Sequence, residues 1–125
     1  MLIAQLVSTT LPYRMVRVYL NTATDSEGRH IPMAIGYTPG DTLQHAMSFA
    51  TTDLGTVEQI AETSFAAFNG HPESSDMAML TDTWYTNRNR SLSVGDVVVV
   101  DGHAVAVASA GFLALPDFVA PNPAA

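Results

Sequence analysis

The spacing of apolar residues predicts one long helix, over about residues 57–69. Thr56 and Gln59 have the spacing of a capping box, in which each side chain bonds a backbone amide that the first helical turn leaves unpaired. Gly70 follows and supplies the left-handed residue at which helices end. The apolar positions repeat every three or four residues and form one stripe: Val57, Ile60, Ala61, Phe65 and Phe68.

Alternating and β-branched apolar residues predict six or seven short strands. We expect strands at 14–20, 31–37, 83–87, 97–100 and 104–107, with 111–113 as an extension of the sheet, and the run 1–7 is short enough to be a first strand. Asp101-Gly102 joins two of these runs and is a strong hairpin signal, because its turn needs positive φ at both central residues. Segment 43–49 also alternates, and we favour a strand there. Asp41 and Gln44 leave a helical capping box as the alternative.

One main helix among several short strands indicates the α+β class. The predicted architecture is a curved antiparallel sheet or half-barrel of about six or seven short strands, with the helix packed against it. With 125 residues the chain is long enough for one domain with its own core. We expect a single domain over residues 1–114 and a Pro-rich C-terminal tail over residues 115–125.

The charge balance is acidic, with twelve Asp and Glu against five basic residues, all of them arginine. Direct binding of nucleic acid is not expected, because phosphate neutralisation supplies most non-specific affinity. No run approaches the roughly 18 apolar residues that cross a bilayer, and no basic stretch at the N-terminus marks a signal peptide. We therefore expect a soluble cytoplasmic protein without membrane contact. Self-association is left open.

Catalytic and metal-binding patterns are missing from the sequence. It contains no cysteine, and no two of its four histidines are spaced as zinc ligands. Nucleotide-binding and hydrolase motifs are also absent, and the carboxylates are scattered singly. We expect no cofactor, no metal and no enzymatic activity. A hydrolase built from dispersed acids stays open as an alternative.

Segment 87–96 is the candidate site, because it carries two of the five arginines between aromatic residues and a valine-rich strand. Its candidate binding residues are Trp84, Tyr85, Asn87, Arg88, Arg90, Ser91, Ser93 and Asp96. Arginine forks and serine hydroxyls suit an anion or an acidic partner surface. In the structural alternative, Arg90 pairs internally with an acid, Gly95-Asp96 forms the turn into the strand, and the serines cap backbone groups.

The same segment resembles the YodL-like family of small accessory domains. The resemblance rests on the run from Asn87 to Val98, on Gly111-Phe112, on Tyr85, and on the helix residues Ala61, Glu62, Phe65, Phe68 and Asn69. It covers residues 37–113. The N-terminal third does not match, and His103-Ala104 stand where an aromatic residue often follows the hairpin.

The resemblance implies a phage, conjugative-element or actinobacterial context, with no established reaction and no catalytic residue to carry over. Our leading hypothesis is a non-enzymatic binding protein of a phage or mobile element that acts on a host protein, with anti-defence as one form of that role. The alternative is a barrel-like domain that binds a small molecule or nucleotide through an Arg/Ser anion site. A deep pocket beside Arg90 would favour the alternative, and a flat exposed aromatic–arginine patch would favour the leading hypothesis.

Overall fold

The computed structural model describes residues 13–121 of the chain, which form five strands and three helices. The strands are β1 (Arg14–Asn21), β2 (Leu43–Thr51), β3 (Val97–Val100), β4 (His103–Val107) and β5 (Phe112–Ala114). The helices are α1 (Pro32–Ile35), α2 (Val57–Ala67) and α3 (Ser75–Thr86). None of these helices is long and apolar enough to cross a membrane.

All five strands lie in one open antiparallel sheet, in the order β2-β1-β3-β4-β5. The long strand β1 pairs with β2 on one side and with β3 on the other, so Val18 lies between Met47 and Val98. The register of β1 and β2 shifts after Val18, which makes Tyr19 the partner of His45. This irregularity leaves Ala46 as an extra residue on β2, as in a β-bulge.

One face of the sheet carries the main core, beneath α2 and α3. Helix α2 begins at the predicted capping box, in which Gln59 N–H donates to Thr56 Oγ1 at 3.1 Å and Thr56 N–H donates to Gln59 Oε1 at 2.8 Å. Phe68 and Trp84 stack with their ring centroids 4.3 Å apart, and both are fully buried. This core also contains Val16, Val18, Leu20, Phe49, Ile60, Val98, Val100 and Val105.

The opposite face of the sheet has a smaller apolar cluster of its own. Its buried members are Tyr19, Val97, Val99, Ala104 and Ala106. Tyr37, Leu43, Leu115 and Phe118 cover them. Because apolar clusters lie on both faces, all four valines of β3 are buried, whereas a strand with one wet face would alternate.

The α+β class, the helix beginning at Val57 and the hairpin at Asp101-Gly102 are confirmed. The predicted strands 14–20 and 43–49 correspond to β1 and β2, so the helical alternative at Asp41 and Gln44 is wrong. Gly70 has φ +85° and lies just beyond α2, as the sequence indicates.

Two predicted strands are wrong. Residues 83–86 form the end of α3 and Asn87 caps it; the helix begins after Ser74, whose side chain accepts a hydrogen bond from Met77 N–H. Met77, Leu80 and Trp84 recur at helical spacing and pack into the core, so their contacts outweigh the β propensity of Trp84 and Tyr85.

Residues 31–37 contain the short helix α1 in place of a strand. Pro32 occupies the first helical turn, where its fixed φ and missing N–H are tolerated. Met33 and Ile35 are exposed, so the alternation of apolar residues there does not mark a buried face.

The described residues thus form five strands in place of six or seven, and an open sheet in place of a half-barrel. The predicted strand at 1–7 lies outside the described residues. In the Pro-rich segment, Leu115 and Phe118 pack on the sheet, and Leu115 N–H donates to Ala104 O at 2.9 Å.

Gly95 is the glycine with the least space for a side chain. We predict that Gly95→Ala lowers the free energy of unfolding by about 2–4 kcal/mol. Its φ is +93°, and an added Cβ would lie 2.5 Å from Pro32 Cβ. Gly102→Ala is the matched control, because its φ is +85° but its surroundings are open. The Gly102→Ala variant has only the backbone strain, which should lower the free energy of unfolding by about 1 kcal/mol. Equal losses in urea unfolding would contradict the packing contribution of Pro32.

The carboxylate of Asp101 should make the folded protein less stable in acid. Its carboxylate accepts the backbone N–H of Met15 at 2.9 Å, and this bond, helped by Arg14, holds the pKa of Asp101 below its ordinary 3.8. A lowered folded-state pKa gives stability that is complete above 3.8 and is lost as the pH falls through the folded value. The difference in urea stability between wild type and Asp101→Asn should therefore shrink as the pH is lowered below 3.8. A constant difference would show that the carboxylate charge is not its source.

Candidate functional site

The carboxylate of Asp96 is the centre of segment 87–96. Asp96 follows Gly95 directly, begins the entry into β3 and is fully buried. Its two oxygens accept the backbone N–H groups of Asn21 at 2.7 Å and Ser93 at 2.8 Å. A buried carboxylate is costly unless it is paired and hydrogen-bonded, and Asp96 meets both conditions.

Arg90 supplies the countercharge through both of its terminal nitrogens. Nη1 lies 2.7 Å from Asp96 Oδ2 and Nη2 lies 2.7 Å from Asp96 Oδ1, which is the bidentate arrangement that a guanidinium fork favours. The same nitrogens donate to Ser91 O, Ser93 Oγ and Asn21 O at 3.0–3.1 Å. The internal pairing that the sequence left as one of two interpretations is therefore present, and this arginine is held against its own chain.

Asn21 ties the end of β1 into the same network. Its side-chain amide donates to Asp41 Oδ2 at 2.9 Å and to Gly95 O at 3.0 Å, and its side-chain oxygen accepts Ala23 N–H at 3.0 Å. Its backbone oxygen also lies 2.7 Å from His30 Nε2. Asn21 is almost fully buried. Its hydrogen bonds therefore connect the end of β1 with the loops that contain His30, Asp41 and Gly95 around one buried polar centre.

The aromatic residues of α3 hold the other end of the segment. Trp84 is buried, and its indole N–H donates to Arg90 O at 2.9 Å. The Tyr85 hydroxyl donates to Phe68 O at 3.0 Å and lies 2.8 Å from Ser91 Oγ. Leu92 is buried between these contacts, and its N–H donates to Phe68 O. The irregular segment is thus fixed to the helix layer as well as to the sheet.

The predicted site residues divide into a group that is buried or paired within the fold and a group that is exposed without an ion pair among residues 13–121. Trp84 and Asp96 lie beneath the surface, and Arg90 and Ser93 are engaged with Asp96. Tyr85, Asn87, Arg88 and Ser91 are exposed and lie near the end of α3. Arg88 has φ +62° just beyond the helix, and no hydrogen bond or ion pair joins its guanidinium to any residue of 13–121.

Sequence reasoning missed Asn21, Asp41 and His30 as members of this network. Asn21 lies 75 residues from Asp96 along the chain, so no local spacing connects the two. The only available signal was its position, as the polar residue that ends the apolar run of β1.

Surface cavities occur on other parts of the molecule. Two cavities, of about 540 and 470 Å³, border the β3–β4 hairpin at Gly102. Across residues 13–121, no cluster of three or more His, Asp or Glu side chains is arranged to hold a metal ion.

No family model, no curated protein and no solved structure matches the chain. The resemblance to the YodL-like family therefore stays a prediction from the sequence.

We predict that Asp96→Asn lowers the free energy of unfolding by about 3 kcal/mol. The substitution removes the charged partner of a half-buried guanidinium, and it replaces one acceptor oxygen by an NH₂ group that faces other donors. Asp82→Asn on the exposed side of α3 is the control and should change stability by no more than about 0.5 kcal/mol. Urea denaturation of the three proteins measures both values. A loss at Asp96 no larger than at Asp82 would rule out the carboxylate as the organising group.

Proposed function

We propose that this chain is a non-enzymatic protein-binding domain of a phage or mobile element, and that it acts on a host protein. Its contact surface is the loop-end surface, which we define as Tyr85, Asn87, Arg88 and Ser91. The family resemblance supports the biological context. The geometry of segment 87–96 supports binding through side chains that a rigid loop displays.

The unpaired guanidinium of Arg88 is the observation on which this proposal rests. The chain has twelve acidic residues, yet this arginine makes no ion pair within the described residues. Its positive φ, which is uncommon for a residue with a side chain, fixes where the side chain leaves the surface. Arginine and tyrosine are enriched among residues that dominate interface energies.

Tyr85 gives the loop-end surface its apolar component. Its side chain is 39% exposed while two hydrogen bonds hold its hydroxyl. A side chain that is already ordered loses little conformational entropy when a partner covers it. Tyr85 is therefore preorganised for contact, and the complementary partner surface carries a carboxylate opposite Arg88.

The alternative of a small-molecule anion site at Arg90 gains no support from the geometry. Both of its terminal nitrogens bind Asp96, and the serines bond neighbouring groups of the protein. An incoming anion would have to displace a buried carboxylate from a bidentate pair. Recognition of a partner therefore falls to Arg88, while the ion pair of Arg90 and Asp96 holds the loop in place.

The test is affinity capture from host-cell lysate, followed by binding measurements between the purified chain and the captured partner. Arg88→Ala should weaken that binding at least about tenfold, the effect expected of an interface hot spot. The matched control is Arg29→Ala, since Arg29 is also exposed but lies on the 25–29 turn, where it pairs with Asp25. Wild-type affinity in Arg88→Ala, or equal losses in both variants, would contradict the loop-end surface. Absence of any stoichiometric partner would contradict the function in that host.

A further inference from the structure

The second face of the sheet holds a buried hydroxyl without a partner. Tyr19 is fully buried, and its hydroxyl makes no hydrogen bond within residues 13–121. Its ring packs edge-on against His45 at 5.6 Å and lies 6.3 Å from the ring of Phe118. Leaving a polar group buried and unpaired costs stability, so such a group in a folded protein calls for an explanation.

An unpaired arginine lies on the same face of the same strand. Arg17 precedes Tyr19 by two residues, which places the two side chains on one side of β1 at a spacing of about 6.6 Å. Val16 and Val18 point to the opposite face, into the helix-side core. No ion pair or hydrogen bond within the described chain engages the Arg17 guanidinium, whereas nearby Asp101 is already bound by Arg14.

A cavity of about 470 Å³ lies between Arg17 and the C-terminal segment that covers this face. Met15, Val99, Phe118 and Val119 give it apolar walls, and the carboxylate of Asp101, which Arg14 binds, also lines it. Phe118 also borders a second cavity of about 180 Å³ with Tyr37 and Leu115. Phe118 therefore borders both cavities and also packs against the ring of Tyr19, which lines neither of them.

The covering segment is held by few polar contacts. Leu115 N–H bonds Ala104 O, and Phe118 N–H bonds Leu115 O within the segment itself. Beyond these bonds, the ring of Phe118 rests against Tyr19 and Tyr37, whose centroids lie 6.3 and 6.1 Å away. Phe118 lies after β5, outside every strand of the described chain, so a displacement of its ring breaks no strand pairing.

We propose that this face binds an apolar carboxylate, with Arg17 as its ion-pair partner and the Tyr19 hydroxyl as its hydrogen-bond donor. The apolar chain of the ligand lies in the cavity against Met15, Val99 and the displaced Phe118. The carboxylate gives the buried hydroxyl the acceptor that it lacks in the free protein. The site is independent of the loop-end surface, since it uses the other face of the sheet and a different arginine.

Dodecanoate, kept below its micelle concentration, is the probe, and isothermal titration calorimetry measures its affinity. Arg17→Gln and Tyr19→Phe should each weaken binding roughly tenfold, the loss expected for a hydrogen bond to a charged group. Arg29→Gln is the matched control and should bind as wild type does. Dodecanol, which has the chain without the charge, should bind at least roughly tenfold more weakly than dodecanoate.

Tyr19→Phe also separates this ligand role from a purely structural one. Because it removes an unpaired buried hydroxyl, it should raise the thermal midpoint of the free protein by about 3 °C while it weakens dodecanoate binding. A higher thermal midpoint together with weaker dodecanoate binding is the result expected if the hydroxyl serves the ligand and not the stability of the fold. The proposal is overturned by no dodecanoate binding, by equal affinity in wild type, Arg17→Gln and Tyr19→Phe, by dodecanol binding as tightly, or by a lower midpoint in Tyr19→Phe.

Discussion

The ion pair between Arg90 and Asp96 is the constraint on which the rest of the structure depends. Asp96 is fully buried, and four hydrogen bonds from Arg90, Asn21 and Ser93 compensate the lost hydration of its carboxylate. These donors come from the end of β1 and from the loop after α3. One carboxylate therefore fixes where β3 begins relative to both, and with it the register of the central strands.

The position of β3 then determines the layered arrangement of the domain. Val98 and Val100 point toward the helices, while Val97 and Val99 point toward the covering segment. Both faces must be shielded from water, because each buried valine contributes on the order of 1.5–3 kcal/mol through its removal from solvent. The helices cover one face thoroughly. The other face depends on Tyr37, Leu115 and Phe118, so it is the thinner of the two layers.

The parts of the fold that could be predicted from the sequence are those governed by local rules. The capping box at Thr56, the Asp-Gly turn and the valine runs each signal their structure within a few residues. Helix α3 was missed because Trp84 and Tyr85 favour strands, while the packing of Met77 and Trp84 into one core is a tertiary effect.

The candidate site was predicted in part. The segment and the Arg90–acid alternative follow from the sequence, but the contact of Asp96 with Asn21 spans 75 residues and leaves no local pattern.

The five arginines give the strongest connection between the charge of the chain and its two proposed sites. Three of them are neutralised within the described residues: Arg14 by Asp101, Arg29 by Asp25 and Glu27, and Arg90 by Asp96. In a chain of net charge −7 an arginine has many carboxylates to pair with, yet Arg17 and Arg88 make no ion pair among residues 13–121. Arg17 lies two residues from the buried Tyr19 on β1, and Arg88 lies three residues from Tyr85, whose hydroxyl is hydrogen-bonded. A guanidinium held apart from an excess of internal acids is free to bind an acid from outside, through Arg88 at the loop-end surface and through Arg17 on the second face of the sheet.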